Sequence, residues 1–152
     1  EFLRAKLQIV YLGWAMNNFS LFENGIFSML RGLKFRKDSF KNTQDLSHTT
    51  SLDEEWVTLN QMIKYYKYGF GRATDYVNEW IRQGKISRKE GIHIVKKYDG
   101  ACSNTYIRDF CKFIEISTDE FWETVIRFTN RDLFRIVDNR RPVPRFEVGE
   151  GM

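Results

Sequence analysis

The chain has 152 residues, 16% of them aromatic, and a formal net charge of +4. That length suits one domain or a little more, with a core carried largely by Phe, Tyr and Trp. Acids and bases alternate without a long block of one sign, which argues against a dedicated nucleic-acid arm, and no run approaches the ~18 apolar residues of a membrane span or forms a signal peptide.

Residues 3–12 alternate weakly, with Leu3, Ala5, Leu7 and Ile9 set against Arg4, Lys6 and Gln8. This reads as a strand ending at Gly13, although Leu3, Leu7 and Val10 also fit a helix. The chain does not begin with Met and opens directly on this element-like pattern, so a part upstream is expected. Trp14 to Phe19 forms a loop carrying Asn17 and Asn18. Ser20 with Glu23 is a capping box: the hydroxyl takes an orphan amide and the carboxylate reaches back. Phe22, Ile26, Met29 and Leu30 supply the buried stripe of the helix that follows, and Gly32 ends it. From Lys34 to Thr50 the apolar pattern lapses, which predicts a long surface loop of the kind that is functional or mobile. His48 lies in it and reads as solvated.

Ser51 with Glu54 is a second capping box opening a helix toward Tyr68, with Leu52, Trp56, Leu59, Ile63 and Tyr66 on its apolar face. The next helix runs from Arg72 to Gln83 and stops at Gly84. Ser87 with Glu90 opens another, which stops at Gly100. Ser103 or Asn104 caps a helix whose face is Tyr106, Ile107, Phe110, Cys111 and Ile114. The fourth box, Ser117 with Glu120, precedes Phe121, Trp122, Val125 and Phe128. A short helical piece near Leu133 to Val137 closes the array, and Arg140-Arg141-Pro142-Val143-Pro144 forces an extended tail. The fold class is therefore mainly α: five to six helices, with a short strand remnant of an α/β domain at the front. The divisions are 1–33, the tail of an upstream α/β domain; 34–50, a loop or linker; 51–138, the helical domain; and 139–152, an extended tail.

Chemistry is sparse. Cys102 and Cys111, with His48 and His93, match no zinc spacing, and Cys111 reads as a small buried apolar residue. No Walker loop, dinucleotide fingerprint or nucleophile elbow occurs. The sharpest local feature is Gly69-Phe70-Gly71, two glycines bracketing one residue between helical patterns. It is either a helix-packing hinge or a place where something approaches the backbone closely. In the second case an anion would meet the amides at the start of the Arg72 helix, assisted by Arg72 and Lys67. Asp75, one turn on, holds the Arg72 guanidinium or forms a solvated pair with it. Asn17, Asn18, Glu23 and Asn24 gather hydrogen-bonding groups beyond the expected strand, where α/β domains bind ligands, or simply satisfy a loop and a helix cap.

Lys64-Tyr-Tyr-Lys-Tyr-Gly-Phe-Gly-Arg-Ala-Thr-Asp75, with Ile81-Arg-Gln-Gly-Lys-Ile-Ser-Arg-Lys-Glu90 and Val95-Lys-Lys-Tyr-Asp-Gly100, resembles the C-terminal part of N-acetyl sugar amidotransferases. These enzymes act in lipopolysaccharide and surface-polysaccharide biosynthesis, including that of O-antigen. The likeness takes in Tyr11-Leu-Gly-Trp14, Thr50 to Trp56, Tyr106 to Ile116 and Glu120-Phe-Trp122, and so covers most of residues 7–130. It implies a PP-loop ATP pyrophosphatase that adenylates the acetamido oxygen of a nucleotide-linked sugar and lets ammonia displace AMP, leaving an acetamidino group. ATP with Mg would serve the full-length enzyme, and a glutaminase partner would supply ammonia from glutamine. By resemblance Gly69, Gly71, Arg72 and Asp75 are family-pattern positions, with Lys64 and Lys67 nearby. The family's S-G-G-x-D-S phosphate loop does not occur in these residues. The chain is thus expected to be a C-terminal portion, inactive alone and binding no cofactor by itself. A cytoplasmic setting is expected, with no nucleic acid, no catalytic metal and homo-oligomerisation left open. The alternative is a non-catalytic helical module that docks a partner such as a glutaminase.

Overall fold

The computed structural model describes Val10, Gly13 and residues 19–137 and 141–150. The strand expected over 3–12 and the loop with Asn17 and Asn18 lie outside the described residues. Two compact units are present, Glu1–Lys34 and Phe35–Met152. In the first, α1 (Leu21–Met29) is capped by Ser20, whose hydroxyl oxygen accepts from the Glu23 N–H at 3.3 Å. The apolar stripe expected on this helix is not buried. Ile26 and Leu30 are exposed, and of the helix residues only Gly25 is buried among the described residues.

The second unit holds α2 (Phe40–Thr43), α3 (Val57–Tyr68), α4 (Arg72–Arg82), α5 (Arg88–Tyr98), α6 (Asn104–Phe113) and α7 (Thr118–Phe128). With α1 that makes seven helices among the described residues, and the mainly helical class holds. No helix among them is long and apolar enough to cross a membrane. Two apolar centres form. Leu59, Met62 and Tyr66 of α3 meet Ile107 and Cys111 of α6 and Phe121 and Val125 of α7. Ala73, Tyr76 and Val77 of α4 meet Val95 of α5 and Leu46. Gly91 lets α5 come close to α4, for a Cβ there would lie 2.7 Å from Val77 Cγ1.

Helix ends follow the expected punctuation at Gly32, Gly84 and Gly100, all with positive φ. Complete capping boxes stand at Ser87–Glu90 and Ser117–Glu120, and Ser103 caps α6. Ser51–Glu54 is a correction. Ser51 adopts φ 51°, which an N-cap in extended backbone cannot, and α3 begins only at Val57. The pair makes a turn instead: the Glu54 N–H donates to the Ser51 carbonyl at 3.2 Å, and the Glu54 carboxylate accepts from the Trp56 N–H at 2.7 Å. The helical piece expected near Leu133 to Val137 is likewise replaced, by a turn and a short strand β1 (Phe134–Arg135). That strand pairs antiparallel with β2 (Val143–Pro144), Phe134 opposite Pro144 and Arg135 opposite Val143. Phe134 is fully buried in the α3–α6–α7 core, so the extended backbone is fixed by packing.

The stretch 34–50 is a surface loop only in part, since α2 lies within it and its second half turns inward. Thr43, Gln44, Asp45, Leu46 and Ser47 are buried, and the ring of His48 packs 4.5 Å from that of Phe40. So polar a segment can be buried because nearly every hydrogen-bonding group in it finds a partner, many of them distant in the chain.

Candidate functional site

Helix α3 ends at Gly69, left-handed at φ 80° and ψ 5°. Phe70 carries the chain to Gly71, extended at φ −120°, and α4 starts at Arg72. The two glycines serve different ends. Gly69 turns the backbone, whereas Gly71 makes room: a Cβ there would lie 2.3 Å from Gln44 Oε1 and 2.9 Å from Asp99 Oδ1.

What approaches the backbone is the protein's own carboxylate. Asp99 Oδ2 accepts from the Gly71 N–H at 2.8 Å and the Thr74 hydroxyl at 2.7 Å, while Oδ1 accepts from the Thr74 N–H at 3.1 Å. Gln44 Oε1 accepts from the Arg72 N–H at 2.9 Å and the Gly100 N–H at 3.1 Å, and its amide donates to the Ala101 carbonyl at 3.0 Å. The positive end of α4 is therefore filled from within. Burial raises the Asp99 carboxyl above its ordinary value, against the bonds from Thr74 and Gly71 that favour the anion. An external anion finds these amides taken, so it must be met by side chains instead.

Several of the expected side chains do converge. Lys64 Nζ donates to Asp75 Oδ2 at 2.7 Å, and Arg72 Nη1 lies 3.9 Å from the same oxygen, so one carboxylate is shared by two cations. Arg72 Nη2 donates to the Tyr76 hydroxyl at 3.3 Å, with the guanidinium 4.7 Å above that ring. Lys67 is elsewhere: it lines an apolar groove of about 330 Å³ with Ile63, Phe110, Ile114, Phe121 and Phe128. Glu23 belongs to the first unit, where its N–H meets the Ser20 cap. Asn17 and Asn18 are outside the described residues.

Arg72 also lines a polar pocket of about 120 Å³ with Arg36, Thr43, Asp45, Thr50 and Gln61. Asp45 organises one wall. Its Oδ1 accepts from the Ser47 N–H at 3.0 Å, the Ser47 hydroxyl at 2.9 Å and the Tyr76 hydroxyl at 2.9 Å, and its Oδ2 accepts from Thr50 at 3.0 Å. Burial, and secondarily the Asp45 charge, push the Tyr76 phenol above its ordinary value. It thus stays protonated, donating to Asp45 while accepting from Arg72. Arg36 Nη2 donates to the carbonyls of Ser51, at 2.5 Å, and Glu54, fixing the approach to α3. Gln44, His48 and Ser51, all left-handed non-glycine residues, bracket the segment. Such backbone costs about 1–3 kcal/mol per residue and persists where its surroundings over-determine it. Gln61 Oε1 is buried with no hydrogen-bond partner among the described residues, a state costing about 1–3 kcal/mol.

Sequence reasoning found Arg72, Asp75 and Lys64 but missed Arg36, Asp45, Thr50 and Gln61. The signal for three of these is the long polar stretch before α3, whose composition reads as surface. Gln61 carried none. No group of three or more His, Cys, Asp or Glu that could hold a metal ion occurs among the described residues.

A family model described as LPS biosynthesis protein WbpG-like, C-terminal domain, matches residues 17–145. No curated protein and no solved structure matches the chain. The family match spans most of the sequence, and the helices and pocket described above lie within it. The chain belongs to the WbpG-like family of lipopolysaccharide-biosynthesis proteins, whose C-terminal domain it carries.

Proposed function

We propose that this domain supplies the substrate side of an ATP-dependent sugar amidotransferase, which converts the N-acetyl group of a nucleotide-linked sugar to an acetamidino group with glutamine-derived ammonia. The observation that carries this reading is the pocket in which Arg72 and Arg36 face a carboxylate already saturated with donors. With Asp75 counted, which pairs with Arg72 and Lys64, three cations stand against two carboxylates; the surplus favours an anionic group on the incoming ligand, and a guanidinium fork favours a phosphate or a developing negative oxygen. Arg72 is held from behind by Tyr76 and from the side by Asp75, so its orientation precedes binding.

ATP and Mg do not fit these residues. The sequence holds no S-G-G-x-D-S loop, and the amides that open α4 are bonded to Asp99 and Gln44. ATP is therefore assigned to the remainder of the enzyme, and no step of its chemistry is assigned to this chain. The apolar groove between α3, α6 and α7, with Ile114 and Phe128 exposed on it, supports a second role as the seat of an ammonia-supplying subunit.

The test is turnover and melting temperature of Arg72→Lys and Asp75→Asn in the complete enzyme. Lysine keeps the charge and loses the two-pronged geometry, so turnover falls ~10-fold or more with melting unchanged. Unchanged turnover in both variants would leave this stretch as a hinge between helices.

A further inference from the structure

We infer that the pocket beside Arg72 takes a phosphorylated carbohydrate by its glycosyl-phosphate end, with Gln61 as the residue that reads the sugar. The inference rests on the reading of this pocket as the substrate side. Size restricts the occupant first. About 120 Å³ is the share of roughly four waters, far below the ~300–1,000 Å³ of pockets that enclose a drug-sized ligand. A phosphoryl group and one neighbouring substituent fit; a nucleoside does not, and must extend outside.

Charge and hydrogen bonding restrict it further. Arg36, Arg72 and Lys64 outnumber Asp45 and Asp75, and the Asp45 oxygens already receive four hydrogen bonds, so the balance of charge favours an anion. Gln61 asks for the opposite. It lines the same pocket, and its carbonyl oxygen is buried without a donor. Fully ionised phosphate has no donor to offer it. A sugar hydroxyl or an acetamido N–H has, and in a glycosyl phosphate the substituent on the adjacent ring carbon stands beside the phosphate. In a nucleoside 5′-phosphate the ribose hydroxyls stand farther off. One anion and one donor, side by side, is the pattern of a sugar 1-phosphate.

The test titrates the full chain with glucose 1-phosphate, its 2-acetamido analogue, uridine 5′-monophosphate and inorganic phosphate, by calorimetry. At least one sugar phosphate should bind ~10-fold or more tighter than inorganic phosphate and uridine monophosphate. Comparing the two sugars tells a hydroxyl donor from an acetamido one. Gln61→Met, similar in size and without the acceptor, should erase that margin and leave inorganic phosphate binding unchanged. Should that variant melt early, Gln61→Glu serves instead: it keeps an acceptor, so all four anions weaken while the sugar margin persists. Equal affinity for all four, no saturable binding, a margin that survives Gln61→Met, or one lost in Gln61→Glu overturns the inference. Unchanged turnover in Arg72→Lys and Asp75→Asn beside an intact margin would contradict the proposed part of this stretch in turnover alone. Lost turnover with no margin would contradict this inference alone.

Discussion

At the scale of single residues, the junction of α3 and α4 depends on an atom that is missing. Gly71 has ordinary extended backbone, so its requirement is space, taken up by Gln44 and Asp99. Gly71→Ala should therefore cost about 1–3 kcal/mol through forced displacement of both side chains. Gly84→Ala is the control: its φ of 70° strains any side chain, but nothing lies within 4 Å of the added carbon. Thermal melts should place Gly71→Ala well below Gly84→Ala, and the reverse order would contradict close approach as the reason for Gly71. The sequence showed that Gly69-Phe70-Gly71 needed explaining. It could not show that the approaching anion is Asp99, 28 residues downstream, because nothing local to either residue records the contact.

At the scale of elements, what was legible was what is local. Ser87–Glu90 and Ser117–Glu120 each complete a hydrogen-bonded box within four residues, and the helices begin where those pairs stand. Ser51–Glu54 has the same spelling and fails, because Arg36 holds the Ser51 and Glu54 carbonyls in a turn. The buried stretch 43–47 escapes a local reading for a related reason. Gln44 finds its partners at Arg72, Gly100 and Ala101, so a polar residue reads as exposed until the fold is known. The two boxes carry a pH dependence. Hydrogen bonds from the Ser87 side chain and backbone lower the Glu90 carboxyl below its ordinary value, and those from the Ser117 backbone and side chain do the same for Glu120. A carboxyl lowered in the folded state contributes stability that is complete above its unfolded value and is lost as pH falls through the folded one. Amide protection in the first turns of α5 and α7, taken relative to the intrinsic exchange rate at each pH, should accordingly fall between about pH 5 and about pH 3. The start of α6, capped by Ser103 with no acid in its first turn, should respond less. An equal response at all three starts would contradict the assignment.

At the scale of the whole molecule, a polar pocket and an apolar groove lie on the same unit and are lined by different residues. The α3 helix contributes to both, Gln61 to the pocket and Ile63 and Lys67 to the groove. This separation suits the proposed division of roles, with substrate at one place and a partner at another. Incubated alone with ATP, ammonia and a nucleotide-linked N-acetyl sugar, the chain should release no AMP above a no-protein control, and release would put the ATP site within these residues. The most direct measurement is hydrogen–deuterium exchange of the complete protein with and without the nucleotide-linked sugar proposed as its substrate. Protection is expected in the segments carrying Arg36, Asp45 to Thr50, Gln61 and Arg72. Protection confined to the groove of α3, α6 and α7, or none in this domain, would contradict a substrate-side role for the pocket.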